Sequence, residues 1–389
     1  MFTNSCLRLL LAALEKIRFG SLRLETPDGK VYCFSGRELG PSADIKLHSL
    51  NTLLSTLMHG DVGLAKEYRI GNWDSDDLAS LCEFCLLNTE ALEKFVDGSV
   101  FFRLMARLSY LFRSNTISGS KKNIEAHYDL GNEFYSLWLD PTMTYSCAIF
   151  ATHEEQLKNA QENKYNRILN RLELNQGSLL EVGCGWGGFS EHLLGRENCR
   201  YTGLTISPAQ LDYARRRVQM YRENAHLELR DYREQTGTFD YIVSIEMFEA
   251  VGESYWPDYF GKMKALLARK GKAVIQTITI ADSYFDKYRK GSDAIRSLVF
   301  PGGMLPSSER FKQEAQRAGL RVKDEFFFGD DYSRTLSCWL ASFKRESSKL
   351  MELGFDESFQ RLWVFYLSSC IAAFRTARTD VMQVELCHA

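Results

Sequence analysis

The spacing of apolar residues changes character about a third of the way along the chain. Residues 1 to about 115 combine two strand-like pieces, SLRLETPDG and KVYCFSG, with helical periodicity from about Leu50 to Leu87, and TPDG supplies a hairpin turn between the strands. Within GDVGLAKEYRIGNWDSDDL, the spacing of Gly60, Gly63 and Gly71 suits turns between short helices, and Asp74 or Ser75 can cap the helix that begins near Asp77. The segment FFRLMARLSYLFR then lines up Phe101, Leu104, Leu108 and Leu111 on one face, with Arg103, Arg107 and Arg113 supplying charge. Such a helix suits packing between domains or contact with a membrane surface. The polar stretch NTISGSKKN places a boundary near residues 113 to 123, so residues 1–115 and 116–389 are expected to form separate domains.

Beyond that boundary LLEVGCGWGGFS, YTGLTIS, YIVSIEMFEA and AVIQTITI are apolar strand-like runs separated by helical segments. That alternation builds a parallel sheet covered on both faces, an α/β fold. WVFYLSSCIAAFRTARTD is helical in pattern and is expected to close over a pocket of this second domain. No internal repeat or low-complexity tract interrupts the chain.

Composition narrows the function classes. Of 389 residues, 45% are hydrophobic and 25% charged, as in folded globular proteins, and 48 Lys plus Arg against 50 Asp plus Glu leave a net charge of −2. No basic excess argues for nucleic acid, and any anionic surface must be met by a local patch. The ten cysteines are scattered, which points to a reducing setting rather than a disulfide framework. Cys82 and Cys85 form a CxxC inside the apolar run LASLCEFCLL with no second pair, so core thiols are expected there and no metal site. Near the N-terminus only Leu9 to Leu14 is continuously apolar, too short for a secretory core or a membrane span, and a soluble or peripheral protein is expected.

The clearest chemical signal is a short strand, Leu179 to Val182, running into Gly183, Gly185, Gly187 and Gly188 with the helix FSEHLL directly after. Glycines allow close backbone approach to a ligand, and the helix N-terminus offers unpaired N–H groups. A dinucleotide site would carry an acid at the end of the next strand; here that strand ends in GLTIS, with none.

Glu181, the GxGxGG turn and the later Asp231 together resemble the S-adenosylmethionine methyltransferase fold. A longer set narrows this: HYDLGNEFYSLWLDPTMTYSCAIF at 127–150, EVGCGWGG, GLTIS with Gln210, DYR at 231–233, MFEAVGE, PGGMLPS and DDYSRTL. In order and spacing, from about residue 50 to the end, the chain resembles the cyclopropane-fatty-acyl-phospholipid synthase family. The resemblance implies a Rossmann-like class I methyltransferase domain with a mostly parallel seven-stranded sheet, plus a smaller, mainly helical N-terminal domain facing lipid. It implies transfer of the methyl of S-adenosyl-L-methionine to the cis double bond of an unsaturated phospholipid acyl chain, then proton loss that closes a cyclopropane ring. The enzyme would be cytoplasmic and peripheral at the inner face of the membrane, and a homodimer is left open.

Carried over residue by residue, the cofactor contacts are Tyr145, Ser146, Glu181, Gly183, Gly185, Thr205, Ile206, Gln210, Asp231 and Tyr232. In that resemblance a bound bicarbonate is the base, held by the residues matching Cys147, Glu249, Ile278 and Tyr332, with Gln276 where the family has histidine. Gln276 offers only neutral donors and an acceptor, and Ala250 also departs from a common histidine, so ring closure is the step these changes touch. A methylene- or methyl-branched product is the alternative, and a small-molecule methyltransferase a more distant one. Plainer readings stand beside these: Cys147 as a buried small hydrophobe, Tyr332 as packing, and either Glu246 or Glu249 as a solvated acid, the motif favouring Glu249. Rings such as Tyr135, Trp138 and Phe150 are candidates for lining an acyl pocket.

Overall fold

The computed structural model describes residues 2–98, 130–291 and 293–389. The chain forms two compact units. The first comprises Met1–Phe112, Asp286–Pro301 and Leu336–Arg378, and the second Arg113–Phe285, Gly302–Thr335 and Thr379–Ala389. Two later segments, Asp286–Pro301 and Leu336–Arg378, belong to the first unit, so the units are not continuous stretches of chain. The amphipathic segment 101–113 and the start of the 127–150 motif lie outside the described residues.

In the first unit, α1 (Phe2–Leu14) precedes the expected hairpin of β1 (Phe19–Glu25) and β2 (Val31–Ser35), paired antiparallel from Ser21↔Ser35 to Glu25↔Val31. Gly29, at φ +80°, takes the left-handed place in its turn. β3 (Glu38–Leu47) runs parallel to β1 and carries the short β4 (Trp73–Asp74) on its far edge, giving the order β2-β1-β3-β4. β3 escapes a hydrophobicity reading because only Ala43 and Leu47 along it are buried. The periodic stretch resolves into α2 (Asn51–His59), α3 (Asp61–Arg69), α4 (Leu78–Leu87) and, beyond it, α5 (Thr89–Val96). The cap of α4 is Asp77, whose carboxylate accepts the Ser80 N–H; Asp74, one of the two expected caps, instead receives Arg361 at 2.8 Å.

The late helix Glu357–Arg375 packs on α3 and α4. Phe365 stacks with Tyr68 and Trp73, and Arg361 donates to the Tyr68 and Trp73 carbonyls. This helix, expected to cover the second domain's pocket, thus belongs to the core of the first unit. Its apolar face satisfies Trp73 and Phe84, and the chain re-enters the second unit only at Thr379. Cys82 and Cys85 are free thiols on α4, each pushed up to about 12 by burial, and among the described residues no His, Cys, Asp and Glu group is disposed to hold a metal.

The second unit is built on the expected seven-stranded, mostly parallel sheet, in the order β10-β11-β9-β8-β5-β6-β7. β5 (Ser178–Val182), β6 (Arg200–Thr205), β7 (Ala225–Leu229), β8 (Phe239–Ile245) and β9 (Leu267–Ile280) are parallel. β11 (Thr379–His388) pairs antiparallel with β9, and β10 (Leu320–Phe327) pairs antiparallel with β11 at the outer edge, so that it runs in the direction of β9. α6 (Leu157–Leu172), α7 (Gly188–Leu194) and α8 (Pro208–Arg217) pack with Leu179, Tyr201 and Val243 into one core. Chain order reverses on the two sides of β5, and ligands of such sheets bind at the carboxyl ends of the strands flanking that reversal. Those ends carry the glycine turn after β5, Thr205 on β6, Glu246 after β8, and Gln276 and Ile278 on β9. No helix among the described residues is long and apolar enough to cross a membrane.

Candidate active site

At the cofactor end, Gly183, Gly185 and Gly187 follow β5 at φ +87°, +52° and +80°. A Cβ on Gly183 would come within 3.0 Å of the Met247 side chain, whereas one on Gly185 meets nothing within 4 Å, so the turn opens to free space at Gly185. The N–H groups of Gly183 and Cys184 both donate to the Leu204 carbonyl, fixing the turn against β6. Where β6 ends, the Thr205 hydroxyl donates to the Gln210 side-chain carbonyl at 2.9 Å, and Ser207 caps α8; Ile206 between them is half-buried. Asp231 accepts three N–H groups of Arg233, and Tyr232 meets Tyr259 edge-on at 5.5 Å.

Glu181 sits beneath the turn, buried, and accepts the Tyr201 hydroxyl; burial pushes its carboxyl up to about 8. Tyr145 lies among Tyr135 (5.5 Å) and Trp138 (5.4 Å), while Tyr135 also reaches Trp186 at 4.8 Å. Phe150 stands apart from this group, under the Arg334 guanidinium at 3.8 Å. Open space over a glycine turn, a hydroxyl and amide pair where a carboxylate would otherwise stand, and an aromatic wall together fit S-adenosylmethionine.

The other end of the crevice is organised around two glutamates. Glu246 follows β8 in the left-handed region, φ +49°, a conformation that costs a non-glycine residue about 1–2 kcal/mol. Its backbone N–H donates to the Gln276 carbonyl on β9. Its carboxylate gathers three donors: the Cys147 N–H and the Gln276 amide on Oε1, both at 2.8 Å, and the Tyr332 hydroxyl on Oε2 at 2.5 Å. Tyr332 stands in the first turn of α9 (Gly329–Arg345). Glu249, one turn of 3₁₀ helix later, places Oε1 on the Ile278 N–H at 2.5 Å and the Thr277 hydroxyl at 3.0 Å, while Oε2 is enclosed and has no hydrogen-bond partner.

Burial pushes both carboxyls up, and the charge of Glu246 pushes Glu249 further in the same direction. The donors distribute the charge: three converge on Glu246 and support its ionised form, whereas Glu249, with an orphaned oxygen, is the member held neutral. Neither is a solvated surface acid. The donors that the family resemblance assigned to bicarbonate, on Cys147, Gln276, Tyr332 and Ile278, are thus taken up by the chain's own carboxylates. Cys147 contributes its backbone; its thiol is pushed well up by burial and donates to the Ala148 carbonyl.

Behind this wall lies Lys164, with no exposed surface. Its ammonium donates to the Ser146 hydroxyl and the Gln161 side-chain carbonyl, both at 2.7 Å, and Gln161 in turn donates to the Ser146 carbonyl at 2.9 Å. Burial lowers its pKa to about 8 against the opposing pull of Glu246. Glu246, weighed in the sequence only as a solvated acid, and Lys164, not singled out there, are the desolvated charged groups that sequence reasoning missed. Both left a signal: Glu246 is an acid at the carboxyl end of a strand-like run, and Lys164 falls in the buried row Ala160, Lys164, Ile168, Leu172 of α6.

The chain matches the family model described as mycolic acid cyclopropane synthetase over residues 116–384. It is 33% identical over 343 residues to a tuberculostearic acid methyltransferase of Mycobacterium tuberculosis, covering 84% of this chain and 79% of that protein. It is 30% identical over 357 residues to the cyclopropane-fatty-acyl-phospholipid synthase of Escherichia coli, covering 88% and 87%. Among solved structures, a Mycobacterium tuberculosis cyclopropane synthase superposes with a TM-score of 0.63 at 28% identity, over 68% of this chain and 97% of that one. A mycolic acid cyclopropane synthase complexed with SAH and CTAB superposes with a TM-score of 0.62 at 30% identity, again over 68% and 97%. With the family model matched over most of its length and relatives at 30% identity or more covered in this way, the chain belongs to the mycolic acid cyclopropane synthetase family and is an S-adenosylmethionine-dependent methyltransferase.

Proposed function

We propose that this enzyme methylates the cis double bond of an unsaturated phospholipid acyl chain presented at a membrane surface, acting peripherally from the cytoplasmic side, and removes a proton to close a cyclopropane ring. The observation that carries the reading is the glutamate pair at the carboxyl ends of β8 and β9, beside the cofactor turn. S-adenosylmethionine, when bound, supplies an electrophilic methyl group. An alkene is a weak nucleophile, so the chain's part is to hold the double bond in line, exclude water and tolerate the positive charge left on the acyl chain. Tyr145, half-buried and backed by the buried rings of Tyr135 and Trp138, is the aromatic group placed to favour such a charge. Glu246, kept ionised by Tyr332, Gln276 and the Cys147 N–H, then accepts the proton. In this reading its carboxylate does the work that the resemblance gave to bicarbonate.

A base fixed to the chain takes whichever proton its position reaches. From the first cation a proton lost from the added methyl closes the ring; if a 1,2-hydride shift first moves the charge to the methyl-bearing carbon, the same methyl then loses a proton to leave a methylene branch. This second outcome is the alternative, in keeping with the naming of one relative as a tuberculostearic acid methyltransferase. The test is incubation with S-adenosylmethionine and vesicles of cis-monounsaturated phospholipid in bicarbonate-free buffer, with NMR of the released fatty acids. Upfield ring protons support ring closure, vinylidene protons support the branched chain, and no mass gain rejects both.

A further inference from the structure

Gln276 is a neutral residue where the family resemblance expected histidine, and a glutamine amide helps an ionised carboxylate only if its nitrogen, not its oxygen, faces it. The structure shows what sets that direction. β11 pairs antiparallel with β9 in the register Gln383↔Gln276, so the two side chains lie directly opposite each other on one face, both without exposed surface. The Gln383 Nε2 donates to Gln276 Oε1 at 2.9 Å, and Gln276 Nε2 donates onward to Glu246 Oε1 at 2.8 Å. At the far end, Arg167 on α6 donates from Nη1 to Gln383 Oε1 at 3.0 Å. Arg167 is itself clamped, with Nη2 on Asp324 at 2.7 Å and the guanidinium 4.3 Å above the Phe326 ring.

A guanidinium carries five donors and no acceptor. Gln383 must therefore turn its oxygen toward Arg167 and its nitrogen toward Gln276, which must then turn its nitrogen toward Glu246. Without Arg167 or Gln383 the Gln276 amide keeps only its inward acceptors, Glu246 and the Cys147 carbonyl at 3.4 Å, and its buried oxygen loses the donor that holds it outward. We propose that Arg167 and Gln383 are positioning residues that fix the polarity of the Gln276 amide, so that the Glu246 carboxylate is always met by an N–H. This rests on Glu246 being the base, and it explains how a glutamine serves beside that base: the direction of its dipole is supplied from the opposite edge of β9.

Two readouts separate this proposal from the activity itself. The first is a double-mutant cycle on vesicle methylation. Gln383→Leu and Gln276→Leu each lower kcat by about tenfold or more, the range for a hydrogen bond to a charged group, with KM for S-adenosylmethionine unchanged, and the double variant is no worse than either. Additive losses overturn the relay. Arg167→Met, which leaves the sheet interior intact, lowers kcat in the same direction; unchanged kcat overturns it equally. The second needs no turnover: infrared titration of the Glu246 carboxyl, assigned with Glu246→Gln. Tyr332, Cys147, Glu249 and Lys164 face that group, and Asp324 and Arg171 lie around Arg167. Gln383→Leu and Arg167→Met raise the pH at which Glu246 ionises, and no movement overturns the proposal even if vesicles prove the wrong substrate.

Discussion

The two ends of the crevice are built on opposite plans. The cofactor end is mostly backbone: three glycines at positive φ and a turn tied to Leu204, with its nearest acid, Glu181, turned down into the sheet. The chemical end is side chain: a glutamate held in the left-handed region and surrounded by donors from three other parts of the chain. A backbone site tolerates many substrates and specifies a shape, whereas a strained side chain with converging donors specifies a charge. The largest effect should therefore come from Glu246. Glu246→Gln keeps the shape and removes the base, and turnover should fall by about 10²–10⁴-fold. S-adenosylhomocysteine affinity, measured by calorimetry, should stay within about twofold, since the cofactor end is untouched. Equal loss of both would erase the division of labour between the two ends.

Glu249 should show how unequal the glutamates are. Held neutral, with one oxygen on the Ile278 N–H and the other unpartnered, it is close in charge and shape to a glutamine. Glu249→Gln should lower turnover by about tenfold, through rearranged hydrogen bonds rather than a lost charge, again with cofactor binding nearly intact. A loss as deep as that of Glu246→Gln, in the same vesicle assay, would move the base to Glu249.

The same contrast decides what was legible in the sequence. The glycine turn, Thr205 and Gln210 lie within about thirty residues of one another, and their spacing alone announces a strand, a turn and a helix. The seven-stranded sheet was expected as a whole, yet only four strands stand out as apolar runs. β7 is short, β10 alternates with charges along an exposed edge, and β11 carries Asp380, Gln383 and Glu385 among its apolar residues. The chemical end joins residues 147, 246, 276 and 332, distant in the chain, so only the family resemblance pointed there. It named the residues but not the placing of Glu246 among their donors, because periodicity reports which face a residue takes and not its φ. The helical pattern of WVFYLSSCIAAFRTARTD likewise pointed to the catalytic unit, since sequence order cannot show that an apolar face is needed elsewhere to cover Trp73 and Phe84.

The smallest effect belongs to the cofactor end and is thermodynamic. Burial holds the Glu181 carboxyl at about 8 in the fold, above the ordinary 4.5, with the Tyr201 hydrogen bond opposing only part of that rise. A raised folded-state pKa means the native protein binds this proton more tightly than the unfolded chain does. Its contribution to stability is then complete below pH 4.5 and is lost as pH rises toward 8, at a slope of at most about 1.4 kcal/mol per pH unit for one proton. Glu181→Gln is neutral throughout and still offers Tyr201 an acceptor. Urea unfolding between pH 4.5 and 8 should therefore show a flatter pH dependence for the variant than for the wild type, with turnover at neutral pH little changed. Parallel curves would mean that Glu181 ionises in the ordinary carboxylate range in the fold as in the unfolded chain.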